Sequence, residues 1–251
     1  MKKWIAAISA ILVCTAAAPA EPQDVCAVPG YLLYGDAPLE RVAASANKEK
    51  KLKVVVIGTA SAMLPGPDGA NAAFPARLEA ALKKRLPKVD ISLITQTKPR
   101  QTAAEMSDSI EKLIVDDKPN LVVWQTGTYD ALKGADPEEF RSSISDGVEA
   151  LHTGGADVIL MNMQYSPRTE SMISLGAYLD NMRWVARERE VPLFDRNAIM
   201  RHWNDVGAID LYRATKDVDI AKRVHDCIGR ALAALVIDGA HLEALEAKPA
   251  Q

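Results

Sequence analysis

The segment Lys53-Val54-Val55-Val56-Ile57-Gly58-Thr59-Ala60-Ser61 decides the fold. Four hydrophobic residues lead into Gly58, a pattern typical of a buried parallel strand that ends in a tight turn. Open α/β sheets bind their ligands at the carboxyl ends of such strands. We therefore expect Thr59 and Ser61 to lie beside a functional site.

Strands and helices alternate along the rest of the chain. The pattern predicts further strands at 90–94, 121–124, 158–161 and 193–194, and helices near 39–46, from 74, and near 103–115, 137–153, 171–190 and 224–237. Such alternation is typical of a parallel sheet with helices on both faces. The sequence therefore predicts the α/β class, a three-layer α/β/α sandwich with a mainly parallel sheet. We expect residues 53–251 to form one domain after an N-terminal extension at 21–52.

The first twenty residues have the composition of a secretory signal peptide. Lys2 and Lys3 precede an apolar run at 4–18 and the small-residue ending Ala18-Pro19-Ala20. A membrane anchor is the alternative, but the run is shorter than the roughly 20 residues that a bilayer span needs. We expect residues 1–20 to be cleaved and the mature protein to be periplasmic or secreted, with no membrane span.

Two cysteines remain after the predicted cleavage. Cys14 leaves with the signal peptide, and an oxidising compartment favours a disulfide between Cys26 and Cys227. Two separate buried thiols are the alternative. In the chain-entropy model such a bridge stabilises the fold by roughly 4 to 5 kcal/mol.

Charge and composition exclude one class of partner. The formal net charge is −3 and aromatic residues make up 5% of the chain, so the sequence lacks the basic, base-stacking surface of a nucleic-acid-binding protein. We also expect no cofactor and no metal site.

Three stretches resemble the SGNH (GDSL) hydrolase family. They are the first strand at 53–61, Phe74-Pro75-Ala76-Arg77-Leu78-Glu79, and Leu121-Val122-Val123-Trp124-Gln125-Thr126-Gly127-Thr128-Tyr129-Asp130. The resemblance extends from about 53 to 236 and is strongest to exported bacterial members. It implies an SGNH-hydrolase or flavodoxin-like sandwich and, in active members, a carboxylic-ester hydrolase.

The same resemblance implies that the nucleophile is missing. It places Ala60 where the family has its catalytic serine, and a methyl group cannot attack a carbonyl carbon. Ser61 follows one residue later, and a shift of one residue in a tight turn directs a side chain elsewhere.

The other catalytic positions differ as well. The stretch 95–102, which includes Thr97, has no glycine for the oxyanion hole, and Tyr129 stands in place of the family's asparagine. Asp130 follows, and its negative charge would oppose a developing oxyanion if it faced the site. Aligned on 227–233, Lys216 and Asp219 occupy the positions of the family's aspartate and histidine.

A literal Asp-Gly-x-His sequence occurs later, at Asp238-Gly239-Ala240-His241. We interpret it as a surface turn because short motifs often occur by chance. The alternative is a relocated esterase site formed by Ser61, Asp238 and His241.

The leading hypothesis is a catalytically degenerate pseudo-enzyme that binds a ligand or a partner. Its pocket is expected to be lined by Thr59, Ala60, Ser61, Thr97, Tyr129, Asp130, Lys216 and Asp219, with further contacts from Gln164, Tyr165 and Arg168 after the fourth strand. The resemblance implies a carbohydrate or an acylated glycan as ligand. A periplasmic protein that contacts the helices is the other partner considered, and a weak esterase is the alternative function.

Overall fold

The computed structural model describes residues 24–34, 37–213 and 217–247. The strands are β1 (Leu33–Tyr34), β2 (Lys51–Gly58), β3 (Asp90–Thr97), β4 (Leu121–Gln125), β5 (Asp157–Met161) and β6 (Leu193–Phe194). The helices are α1 (Glu40–Ala44), α2 (Gly69–Ala72), α3 (Phe74–Arg85), α4 (Ala103–Ser107), α5 (Ile110–Asp117), α6 (Thr128–Lys133), α7 (Pro137–Thr153), α8 (Pro167–Met172), α9 (Gly176–Glu188), α10 (Arg196–Asp205) and α11 (Val218–Gly239). The predicted signal peptide and Lys216 lie outside the described residues.

The six strands form one sheet in the order β1-β6-β5-β4-β2-β3. Strand β2 pairs in parallel with both β3 and β4, and β5 pairs in parallel with both β4 and β6. Strand β1 pairs with β6 in the antiparallel direction at one edge of the sheet. Side chains of β2 alternate between two cores: Val54 and Val56 face one, and Val55 and Ile57 face the other. Helices cover both faces, so the predicted three-layer α/β/α sandwich is confirmed.

Parallel pairing brings the carboxyl ends of the strands to one edge. Ile57 is aligned with Trp124 of β4, and Gly58 is aligned with Thr97 of β3. Met161 of β5 is in turn aligned with Phe194 of β6. The segments that follow β2, β4, β5 and β6 therefore begin side by side.

Helix α10 forms where the sequence pattern predicts no helix. Asp195 caps it, since its side chain accepts a hydrogen bond from the backbone N–H of Ala198. The buried face combines Ile199, Met200 and Trp203 with Arg196 at helical spacing. Because the charged residue Arg196 is part of the buried face, the apolar residues alone do not show the spacing of a helix, and the sequence pattern predicts none here.

Several predicted helix boundaries are wrong. The helix expected at 103–115 is divided into α4 and α5, because the Ser109 hydroxyl donates to the carbonyl of Met106. The helix expected at 171–190 is also two helices, with Ser166 capping α8 and Pro167 at its first turn. Helix α11 begins at Val218 rather than at residue 224, because Asp217 caps it through the N–H groups of Asp219 and Ile220.

The described part of residues 21–52 packs on the sandwich. Strand β1 pairs with β6, and Leu39 and Val42 are buried in the core that contains α3 and α11. Cys26 and Cys227 form a disulfide with a Cα–Cα distance of 5.0 Å, which confirms the predicted pairing. The division of the chain at residue 52 stays a prediction. In the parts of the chain that the structure describes, no helix combines the length and apolar character that crossing a membrane requires.

We predict that replacing both bridged cysteines by alanine lowers the free energy of unfolding. The bond links residues 201 positions apart, and opening so long a loop restores chain entropy to the unfolded state worth about 4 to 5 kcal/mol. Urea unfolding at equilibrium measures the difference. Reductant should lower the midpoint of the natural protein and leave that of the double variant unchanged; equal midpoints without reductant would contradict the prediction.

Candidate functional site

A cavity of about 500 Å³ opens at the carboxyl edge of the sheet. Its walls come from the turn after β2, the first turns of α6, the segment after β5, and the beginnings of α10 and α11. This is the location expected for the ligand site of an open α/β sheet.

Seven of the residues proposed from the sequence line this cavity. They are Thr59, Ala60, Ser61, Tyr129, Gln164, Tyr165 and Arg168. Thr97 and Asp130 are absent from the described lining, and Asp219 lies at the exposed start of α11. The structure thus brings together the predicted residues from three loops and separates the others from them.

Asp130 is buried and has a structural contact. Its side chain is 2% exposed, and its Oδ1 accepts a hydrogen bond of 2.8 Å from the backbone N–H of Ala103. Burial raises the pKa of this carboxyl group. Asp130 therefore connects α6 to the first residue of α4 and does not present its charge to the cavity.

Two glycines and Gln125 fix the turns that border the cavity. The Oε1 atom of Gln125 accepts a hydrogen bond of 2.9 Å from the Thr59 N–H, and a Cβ at Gly58 would lie 2.7 Å from that oxygen. Gly127 has a φ of +100°, and a Cβ there would lie 2.4 Å from the sulfur of Met163. Glycine at position 127 therefore suits a left-handed turn, and glycine at position 58 leaves room for the Gln125 amide beside the Thr59 N–H.

Ser61 lies in a short 3-10 turn and contacts a cation. Its Oγ accepts a hydrogen bond of 3.1 Å from Nη1 of Arg196, and its carbonyl accepts one of 3.1 Å from Nη2. A guanidinium has no acceptor atom and cannot take a proton from the hydroxyl. This contact therefore supplies no general base for a serine nucleophile.

His225 also lines the cavity, but as a neutral hydrogen-bond donor. Its Nδ1 accepts a hydrogen bond of 2.9 Å from the Phe74 N–H, so the neutral imidazole carries its proton on Nε2. Burial, with a further contribution from the charge of Arg196, lowers the pKa of His225 to about 3. This histidine is held in the form that cannot accept a serine proton at Nε2.

Asp238 and His241 lie at the other end of α11. Gly239, the last residue of the helix, is 14 residues beyond His225, a rise of about 21 Å along an α-helix. His241 then occupies a turn in which its N–H donates to the carbonyl of Asp238. The structure does not bring Ser61, Asp238 and His241 together, and the sequence Asp-Gly-x-His forms the turn that ends the helix.

Arg196 is a central residue of the site that the sequence analysis missed, together with His225 and Arg100. Its side chain is fully buried, and burial lowers its pKa to about 10. The neighbouring carboxylate, Asp195, instead pairs with Arg183 at 2.9 Å and accepts from Asn162 at 2.7 Å. The available signal was position: Arg196 is the second residue after strand β6, at the ligand edge of the sheet.

The charges around the cavity have one sign. Arg100, Arg168 and Arg196 line it, the first two of them exposed. Within the lining that the structure describes there is no aspartate or glutamate. The cavity is therefore positive although the whole chain carries a formal charge of −3.

The sheet order, the turn after β2 and the cavity beside it define an SGNH/GDSL-type hydrolase fold. Residues 25–242 match the model of the non-GDSL lipase-like family, and the chain belongs to this family.

Solved structures share the fold at low sequence identity. TesA is 20% identical, with 73% of this chain and 99% of that one covered and a TM-score of 0.57. LAE5, an α/β hydrolase from the metagenome of Lake Arreo in Spain, is 18% identical, with 76% and 96% covered and a TM-score of 0.58. A variant of Axe2, an acetylxylan esterase from Geobacillus stearothermophilus, is 16% identical, with 74% and 94% covered and a TM-score of 0.59. The search of curated proteins finds no match.

We predict that His225 makes the fold acid-sensitive. Its pKa is about 3 in the folded protein against an ordinary 6.5, so below pH 6.5 the unfolded chain binds a proton that the folded chain does not. The stability present above pH 6.5 should fall toward pH 3, by at most about 1.4 kcal/mol per pH unit. In His225→Asn, where the amide oxygen can replace Nδ1 as acceptor, this dependence should be shallower.

Urea unfolding at intervals from pH 7.5 to pH 4 measures the slope. His241→Asn is the matched control, because His241 is exposed at a left-handed turn that asparagine tolerates. Parallel curves for His225→Asn and the natural protein would contradict the assignment.

Proposed function

We propose that this protein is an exported binding protein built on an SGNH hydrolase fold, and that its cavity holds a ligand without hydrolysing it. The observation that carries the proposal is the hydrogen bond between Ser61 and Arg196. The Ser61 hydroxyl, next to the position that the resemblance assigns to the family's nucleophile, faces a group that only donates, and the resemblance assigns Ala60 to that position.

The rest of the site agrees with binding. Hydrolysis of an ester needs a base for the nucleophile and donors directed at the developing oxyanion. His225 has its Nδ1 lone pair committed to a backbone N–H, and Thr97 from the expected oxyanion segment is not part of the described lining. The fold retains a pocket, and its described lining contains no aspartate or glutamate that could act as a general base.

The disulfide supports the proposal of export. Disulfides persist in oxidising compartments and are rare in the cytosol. The bond between Cys26 and Cys227 therefore agrees with the signal peptide that the first twenty residues predict.

The lining also bears on the class of ligand. Apolar side chains supply much of the wall: Met63, Leu64, Leu132, Met200, Leu211 and Val224. An acylated ligand, whose chain is apolar, fits such a wall better than an unmodified sugar does. Axe2 is an acetylxylan esterase, and we propose an acylated carbohydrate or a related acyl compound as the ligand here.

We predict that the mature protein does not hydrolyse short-chain p-nitrophenyl esters above the rate of its Ser61→Ala variant. The reason is that removing Ser61 removes a hydroxyl that has no base to activate it. Stopped and continuous assays of p-nitrophenyl butyrate, with His225→Ala and His241→Ala beside them, measure the rates.

A serine-directed phosphonate provides an independent check by mass spectrometry of the intact protein. The expected result is no adduct. Turnover that is lost in Ser61→Ala, together with an adduct at Ser61, would overturn the proposed function.

A further inference from the structure

A buried cation faces the cavity without a carboxylate partner. The Arg196 side chain is fully buried, and its three hydrogen bonds go to neutral oxygens: Oγ and the carbonyl of Ser61, and Oε1 of Gln164. Its Nε is buried with no hydrogen-bond partner in the described structure. Burying a charge costs free energy unless it is paired with an opposite charge, and the described contacts of Arg196 include no such charge.

Neutral oxygens accept from both terminal nitrogens of Arg196, which are the atoms through which a guanidinium pairs with a carboxylate. A guanidinium binds a carboxylate through two parallel N–H groups. Nη1 donates to Ser61 Oγ at 3.1 Å and Nη2 donates to Gln164 Oε1 at 3.3 Å, the longest of the three bonds. Gln164 is half-buried and lines the cavity, so rotation of its side chain would open the guanidinium to a ligand.

We propose that the cavity binds a small organic carboxylate, and that Arg196 pairs with the carboxylate group after Gln164 moves aside. The inference rests on the proposed function and narrows it, because among the acyl compounds proposed there it selects those that carry a free carboxylate. The neutral Nε2–H of His225 supplies another donor in the cavity, and the apolar wall receives the body of the ligand.

A monoanion suits the site better than a phosphate. The one buried cation is Arg196, since His225 is neutral and Arg100 and Arg168 are exposed. A phosphate dianion would leave an uncompensated negative charge against apolar walls. The two exposed arginines instead raise the local concentration of anions at the entrance.

Octanoate is the probe, and isothermal calorimetry at pH 7.5 is the measurement. Octanamide has the same alkyl chain with a neutral head group. Octyl phosphate has an alkyl chain with a phosphate in place of the carboxylate. We expect octanoate to bind at least about tenfold more tightly than octanamide, as a charge-assisted hydrogen bond implies. Octyl phosphate should bind more weakly than octanoate.

Two substitutions at one position provide the sharpest test. Gln164→Glu places a tethered carboxylate against Arg196 and should abolish octanoate binding. Gln164→Leu removes the amide oxygen without adding charge and should leave binding unchanged or stronger. Arg196→Gln should abolish the preference for octanoate over octanamide, with Arg187→Gln as the control, because Arg187 is an exposed arginine outside this cavity.

The outcomes separate the inference from the proposed function. Equal binding of octanoate and octanamide, tighter binding of octyl phosphate, unchanged octanoate binding in Gln164→Glu, or no binding of octanoate would each overturn the inference. Turnover of p-nitrophenyl esters that depends on Ser61 tests the proposed function in the same samples. A cooperative thermal transition for each Gln164 variant shows that a loss of binding does not arise from unfolding.

Discussion

The guanidinium of Arg196 joins the loops on which the site depends. It belongs to the first turn of α10, donates to Ser61 in the turn after β2, and donates to Gln164 in the segment after β5. Its central carbon also lies 5.8 Å from the ring centre of Phe74, at the start of α3. One side chain therefore sets the relative positions of loops from three strands, at the energetic cost of burying a charge.

That charge changes what the cavity can stabilise. Hydrolases gain rate from interactions that strengthen in the transition state, when an oxyanion develops next to a nucleophile and its base. Here the positive charge is permanent, the nearest hydroxyl accepts from it, and His225 is held as a donor. The arrangement favours an anion that is already present in the ground state, as the proposed carboxylate ligand is.

Most of the sheet was predictable from the sequence because its central strands β2, β4 and β5 contain continuous apolar runs that lie inside the sandwich. Strands β4 and β5 are buried along their whole length, and helix α7 has the predicted bounds because Asp136 and Pro137 begin it in a standard way. Strand β1 was missed because two residues at an edge carry no periodicity. Helix α10 was missed because its buried face includes a cation.

The site was predictable in position and less so in composition. Residues that follow strands lie at the ligand edge, which is why Ser61 and Gln164 were identified from their positions, whereas Tyr129 was identified by the resemblance. Asp130 was placed in the cavity by the resemblance, but the helical turn of α6 directs it toward the N–H of Ala103. Asp219 was placed there by alignment, but the Asp217 cap makes it the second residue of an exposed first turn. The burial of Arg196 depends on contacts from distant loops, which no local pattern records.

Helix α11 connects the cavity to the disulfide. His225 contributes to the cavity, and Cys227, two residues later, is bonded to Cys26. Residues two positions apart on a helix lie on different faces, so one face carries the cavity wall and another holds the N-terminal segment. The backbone N–H of Leu39 also donates to the carbonyl of Gly239, at the far end of the helix. The segment before β2 therefore holds α11 at two points along its length, and the position of His225 beside Arg196 depends on an attachment made by residues that contribute nothing to the described cavity lining.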